Sequence, residues 1–327
     1  MKIPVLVLFG PTASGKTALL EKLFGDGTLK AEIISADSMQ VYRGMDIGTA
    51  KPSPEERAKI PHHIIDIRNP DEQFNAGDFV RLAEKACLGA AGKGALPVVS
   101  GGTGFYLKNL VLGLPEAPPS DAVIRCELKA ELLARGAASL LEELSKNDPK
   151  SAERIHVNDE YRLLRALEVY RLTGRPLSSF ASPWTSPGKD KCEDPDRPFR
   201  FLNIGLRRSR EELYRRINAR TQVMFRSGLA GEVESLFKAG YTPADPGLRA
   251  IGYREFFVSA GELNDGWRLS EDLAGVEALV AQNSRRYAKR QITFFASIPG
   301  VNWIDCGKDD ETVREISRIL DDFLNRV

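Results

Sequence analysis

The chain has 327 residues, 42% hydrophobic and 28% charged, with a formal net charge of +1. That length allows one large α/β domain plus a smaller inserted or appended one, with a core that needs no metal or disulfide staple. No apolar run is long enough to span a bilayer, and Met1-Lys2 leads straight into a strand pattern, so the sequence predicts no membrane segment, no signal peptide and a cytoplasmic protein.

The apolar run Val5-Leu6-Val7-Leu8-Phe9 predicts a buried strand, and Ala18 to Leu23 has the periodicity of a helix. Between them, Gly10-Pro11-Thr12-Ala13-Ser14-Gly15-Lys16-Thr17 fits G-x-x-x-x-G-K-[ST]. Backbone N–H groups of such a loop, at a helix N-terminus, favour a polyanion. Lys16 adds a point charge, and the Thr17 hydroxyl suits a magnesium ion. A phosphate or diphosphate ligand follows, but the loop alone leaves ATP, GTP and other diphosphates open.

Next come a second strand, Ala31–Ala36, closing on Asp37-Ser38, a strand over His63-Ile64-Ile65-Asp66-Ile67, and a helix from Ala76 to Gly89. The strand Leu96–Ser100 then runs into Gly101-Gly102-Thr103-Gly104 and a helix to Leu112. Strand–helix alternation predicts a mostly parallel sheet flanked by helices, with ligands at the carboxyl ends of the strands. Lys16, Asp37 and Thr103 all fall at such ends.

Pro115, Pro118 and Pro119 break this pattern, and helices are predicted over Ala122–Arg135, Ala137–Lys146 and Asp159–Thr173, the last with Leu163, Leu164, Leu167 and Tyr170 on one stripe. Ala181 to Gly188 and the charged stretch to Pro198 read as a mobile connection. Phe199–Leu206 is again a strand, so the helical part reads as an insertion. The expectation is a P-loop NTPase-like α/β core, residues 1–118 and 199–327, with a small all-helical domain at 119–198. Long helices, a short strand near Val301–Ile304 and a last helix to Leu324 complete the chain.

Charge is unevenly spread. Arg207, Arg208, Arg210, Arg215, Arg216, Arg220 and Arg226 face only Glu211 and Glu212, and Arg285 to Arg290 has no acid, so local basic patches suit a polyanionic partner or a solvated helix face. Cys87, Cys126, Cys192 and Cys306 show no C-x-x-C pairing, and His62, His63 and His156 lack metal-ligand spacing; structural roles are expected for all of them.

Several blocks in order carry a resemblance. They are GPTASGKT from Gly10, DSMQVYRGMDIGTAKP from Asp37 to Pro52, PHHIID from Pro61, GGTGFY from Gly101, Arg154–Asp159 leading to Arg165–Val169, IGYR from Ile251, and AKRQIT from Ala288. Over residues 10 to about 293 the chain resembles the bacterial tRNA dimethylallyltransferases.

The resemblance implies transfer of a dimethylallyl group from dimethylallyl diphosphate to the exocyclic amine of the adenosine 3′ of a tRNA anticodon, releasing pyrophosphate. It implies that residues 10–17 hold the diphosphate, with Thr17 on Mg2+. Asp37 is then the general base, and Thr103 and Arg220 stabilise the leaving group. The adenosine must be flipped from its stack. The resemblance assigns tRNA contacts to Asp37, Ser38, Met39, Gln40, Thr103, Arg125, Tyr161, Arg162, Leu163, Leu164, Arg165, Arg249, Ala250, Ile251, Gly252, Tyr253 and Arg254, although Leu163 and Leu164 also read as core. The partners are then the tRNA anticodon stem-loop and the prenyl donor, with a monomer expected. Without the C-terminal zinc-finger extension of eukaryotic relatives, no zinc is expected.

Three rivals share parts of this pattern. A P-loop kinase would use Lys16 and Thr17 on ATP, with Asp37 activating a hydroxyl. A free adenine-nucleotide prenyltransferase would share the loop and aspartate but need no basic segments. A noncatalytic RNA-binding protein would have no use for Asp37 and Thr103.

Overall fold

The structure, a computed structural model, describes residues 2–181, 197–260, 266–307 and 309–325. Contacts divide the chain into residues 1–111 with 192–327 and residues 112–191. The boundaries read from the sequence lay further along, at 119 and 198.

In the first unit, β1 (Ile3–Phe9), β2 (Ala31–Ser35), β3 (His62–His63), β4 (Leu96–Gly101), β5 (Phe199–Arg207) and β8 (Val301–Asp305) form one six-stranded sheet in the order β3-β2-β4-β1-β5-β8. All its pairings are parallel. Parallel strands covered on both faces are continuously apolar, and Val5 to Phe9 are fully buried. The helices of this unit are α1 (Lys16–Phe24), α2 (Pro54–Lys59), α3 (Ala76–Gly92), α4 (Gly104–Leu112), α8 (Arg210–Arg226), α9 (Leu229–Lys238), α10 (Leu273–Phe295) and α11 (Asp309–Leu324). A hairpin of β6 (Phe257–Ser259) and β7 (Trp267–Leu269) stands apart from the sheet. Because β5 lies beside β1, in register Leu6↔Leu202, the chain returns to the sheet it left before the helical segment.

The run His63–Ile67 corrects one expectation. Only His62 and His63 pair with β2; Ile64 (φ 63°) and Asp66 (φ 57°) are left-handed, and the chain turns to hydrogen-bond residues 40–43. Apolar content there reflects burial of Ile64 and Ile65, not an extended strand.

At the end of β4, Gly101 meets the end of β2 so closely that a Cβ would lie 2.2 Å from the Ala36 carbonyl oxygen. Glycine here lets the Asp37 and Thr103 turns touch.

The second unit comprises α5 (Ala122–Asn147), α6 (Pro149–Ala152) and α7 (Glu160–Thr173). Gly136 (φ 76°, ψ 160°) breaks α5 into the two helices read from the sequence. Asp121 and Asp159 cap α5 and α7, and Gly174 (φ 67°) ends α7. Leu128, Leu140, Leu144, Leu163, Leu164 and Leu167 form the core.

Within it, the fully buried Glu168 accepts hydrogen bonds from Ser120 Oγ (2.5 Å), Asp121 N (2.9 Å), Arg125 Nη1 (3.2 Å) and Arg165 Nη1 (2.8 Å). Burial pushes its carboxyl up, but the bonds from Ser120 and Arg165 outweigh this and hold it below the usual range. Glu168→Ala would strand two arginines, and breaking a buried pair costs about 3–5 kcal/mol. Urea unfolding followed by circular dichroism should show that loss; a change under about 1 kcal/mol would mean that the network is solvated.

Candidate functional site

The loop after β1 bends through left-handed Ala13 (φ 63°) and Gly15 (φ 100°) before α1 begins at Lys16. Lys16 Nζ donates to the carbonyls of Gly10 (2.8 Å) and Pro11 (3.0 Å). Side chains distant in sequence brace the rest. Arg208 Nε donates to Ser14 O (2.8 Å), Arg216 Nε to Ala13 O (3.1 Å), and Gln291 Oε1 accepts from Thr12 N (2.8 Å). The other end of the Gln291 amide donates to Gly102 O (2.8 Å), tying the β1 loop to the β4 turn.

Beyond β2, Asp37 Oδ1 accepts from Met39 N (2.9 Å) and Gln40 N (3.4 Å), an Asx-type turn with no helix following it. Thr103 Oγ1 accepts from Ser38 N (3.0 Å) and donates to Ser38 Oγ (3.3 Å), while Thr103 N donates to Ala36 O. Asp37 is thereby held from the β4 side.

Two cavities flank this aspartate. The first, about 520 Å³, is edged by Thr12, Ala13, Gly15, Lys16 and Thr17 on the loop, by Arg215, Arg216 and Arg220 on α8, and by Ile33, Ala50, Pro52 and Ile60. The second, about 310 Å³, is edged by Ser38, Met39, Met224, Arg249, Ala250, Ile251, Arg254 and Arg290. Thr12, Asp37, Thr49, Arg220 and Tyr287 line both.

Electrostatics couple the shared wall. Burial, with Arg220 adding repulsion, pulls the Lys16 ammonium down to about 8, and Asp37 opposes this. Burial likewise holds the Arg220 guanidinium below its ordinary value, with Asp37 again opposing. Two crowded cations and one carboxylate make a site that gains from a bound polyanion.

Some expected site residues face elsewhere. Gly10, Pro11 and Ser14 do not line the first cavity; the first two supply carbonyls to Lys16, and the buried Ser14 Oγ packs where a Gly10 Cβ would come within 2.9 Å. Leu163 and Leu164 are core, so their side chains cannot reach RNA. Arg125 and Arg165 are committed to Glu168, whereas Tyr161 and Arg162 at the start of α7 are each 71% exposed. Gln40 lines the first cavity, not the second. Tyr253 is fully buried and Gly252 lines neither cavity.

Other residues escaped the sequence reading. Glu232 accepts from the backbone N of Asp46 (2.9 Å), Ile47 (2.8 Å) and Gly48 (3.2 Å) and from Tyr253 Oη (2.7 Å), joining the Gly48–Thr49 wall to the segment before Arg254. Tyr287 and Gln291 come from α10, where the sequence signals were a run without acids and the family block from Ala288, neither of which singled them out.

Comparison with known proteins shows the family. A family profile described as IPP transferase matches residues 40–297. The chain belongs to the IPP transferase family. A relative from Geotalea uraniireducens (strain Rf4), tRNA dimethylallyltransferase 2, is 44% identical over 313 residues, 95% of each chain. The tRNA dimethylallyltransferase of Geobacter sulfurreducens is 41% identical, over 97% of this chain and 96% of its own.

Among solved structures of this family, the full-length tRNA isopentenylpyrophosphate transferase of Bacillus halodurans superposes with a TM-score of 0.65 at 36% identity, over 99% of this chain and 97% of its own. A eukaryotic dimethylallyltransferase captured acting on tRNA gives 0.80 at 26% identity, over 99% and 80%. The P-loop-like α/β fold and the prenyl transferase class of this family member are thus shown. No described helix is long and apolar enough to cross a membrane.

Proposed function

We propose that the protein transfers a dimethylallyl group from dimethylallyl diphosphate to the exocyclic amine of the adenosine 3′ of the anticodon in tRNA. The observation that carries this reading is the pair of cavities meeting at Asp37 and Arg220, one edged by the phosphate loop and the other by Arg249, Arg254 and Arg290. A kinase would place a nucleotide on the loop. Here the first cavity is lined by Ile33, Ala50, Pro52 and Ile60 as well as by Glu56, Lys59 and His62, and its apolar members suit a prenyl tail, while the second cavity is of a size for a flipped base.

In this reading the diphosphate lies on Thr12, Ala13 and Gly15 to Thr17, with Lys16, Arg216 and Arg220 around it. The carbon–oxygen bond to the diphosphate breaks, and the electron pair leaves with pyrophosphate. The adenosine nitrogen bonds the allylic carbon, and its proton passes to the Asp37 carboxylate. Thr103, expected to stabilise the leaving pyrophosphate, lines neither cavity and instead acts through the turn that aims Asp37.

No group of three or more His, Cys, Asp or Glu able to hold a metal occurs among the described residues. The exposed Thr17 lines the first cavity, so its hydroxyl fits a Mg2+ ion that takes its remaining ligands from diphosphate and water. Such an ion would neutralise diphosphate charge. A tRNA substrate supports a cytoplasmic setting.

Purified protein given Mg2+, dimethylallyl diphosphate and unmodified tRNA should add the prenyl mass to one adenosine. Prenyl gain on free AMP alone, or phosphate release from ATP, would overturn the reading.

Tyr161 and Arg162 are proposed to meet the RNA, as an aromatic stacking surface and a phosphate contact. Arg162→Ala should weaken tRNA binding and reduce the slope of log K against log salt by about 1. Filter binding across salt concentrations checks this; an unchanged slope places Arg162 off the interface. Arg165→Ala is expected to act through stability instead, because its partner is the buried Glu168.

A further inference from the structure

Tyr287 lies one helical turn before Gln291 on α10 and is the only Phe, Tyr or Trp among the described residues lining either cavity. It is one of five residues that line both. On the reading above, the shared wall is where the allylic carbon changes partners.

The charges at this wall set a problem. Lys16, Arg216 and Arg220 suit the departing diphosphate but repel the positive charge that develops on the allyl group as its bond to oxygen breaks. Asp37 is the one carboxylate lining both cavities, and its task there is to take the proton. Something must face the allyl cation without pairing with the diphosphate. An aromatic ring does this, because its negative face attracts cations.

Tyr287 is suited to that role. The Arg290 guanidinium sits 5.7 Å from its ring centroid, within cation–π distance of the ring. Burial and the nearby Asp37 push its hydroxyl up to about 12, against hydrogen bonds with Thr103 and Gln291, so the phenol stays neutral during turnover. Gln291 is itself fixed at both ends of its amide by Thr12 N and Gly102 O, which anchors the turn of α10 that carries the ring.

We propose that Tyr287 is a catalytic residue whose ring face stabilises the positive charge developing on the allyl group during transfer. The ring forms and breaks no bond; it acts only while the charge exists. This rests on the prenyl-transfer reading, so the wild-type protein is assayed first for prenyl gain on tRNA, and failure there concerns that reading alone.

The test replaces Tyr287 in the full chain by phenylalanine and by mono-, di- and trifluorophenylalanine, and follows single-turnover prenyl transfer together with tRNA and donor dissociation constants. Fluorine drains the ring face while nearly preserving its shape. Tyr287→Phe should stay within about three-fold of wild type, and each fluorine should slow transfer by roughly two- to three-fold, with both dissociation constants within two-fold. Tyr287→Leu, which removes the ring, should slow it by about 5- to 30-fold.

A rate independent of fluorine number would overturn the proposal. So would fluorine-dependent loss of tRNA affinity at constant rate, which would make Tyr287 a stacking partner for the base. A Tyr287→Phe as slow as Tyr287→Leu would also overturn it, assigning the role to the hydroxyl.

Discussion

Asp37→Asn is expected to slow single-turnover prenyl transfer by about 10²–10⁴-fold, the usual contribution of a positioned general base, while tRNA affinity stays within a few-fold. Asparagine is the informative substitution because of the local structure. Asp37 Oδ1 accepts from Met39 N and Gln40 N, and an asparagine carbonyl can accept the same bonds, so the turn that lines the second cavity survives. What is lost is the capacity to take a proton. Asp37→Ala removes both, so comparing the two separates chemistry from turn geometry. If Asp37→Asn loses tRNA affinity as steeply as it loses rate, Asp37 is a recognition residue and the base lies elsewhere.

The second large effect concerns Arg220. Losing one preorganised cation at a developing charge typically costs about 10²–10³ in rate, and Arg220→Gln should fall in that range. A pH signature accompanies it. In the free protein Lys16 loses its proton near pH 8, because burial and Arg220 lower it from the ordinary 10.5. Only the ammonium form attracts a diphosphate, so donor affinity should be full below pH 8 and fall above it.

Removing Arg220 takes away one of the two lowering influences and leaves burial. The alkaline limb should therefore move up, part of the way towards the ordinary value. Calorimetric titration with inorganic pyrophosphate from pH 6.5 to about 10 would follow it. A limb that stays near 8 in Arg220→Gln would mean that the two cations do not share one site.

Much of this organisation was legible in local pattern. The β1 run, the eight-residue loop and the α1 periodicity are contiguous, and each follows from neighbours in sequence. The break at Gly136 and the caps at Asp121 and Asp159 are equally local. The strand read over His63–Ile67 failed because its apolar residues are buried through turns with left-handed Ile64 and Asp66, and burial without period carries no conformational signal.

Leu163, Leu164 and Tyr253, expected at the RNA, have buried side chains for a different reason. A block shared with relatives does not distinguish the side chains that build a segment from those that use it. Arg165 illustrates this, since its charge faces Glu168 three residues on.

The sequence by itself determined the sheet alternation, the phosphate loop, the family blocks and the placing of Lys16, Asp37 and Thr103 at strand ends, because these depend on residue order and short-range backbone preference. Only the tertiary structure decided that Arg208, Arg216 and Gln291 grip the loop from residues far along the chain. It also decided that Glu232 holds the second cavity's wall and that Tyr287 stands where the two cavities meet. The reason is physical. An arginine, glutamate or tyrosine on an amphipathic helix has the same local signature whether it faces water or a neighbour, and packing of α8, α9 and α10 against the strand ends chooses between them.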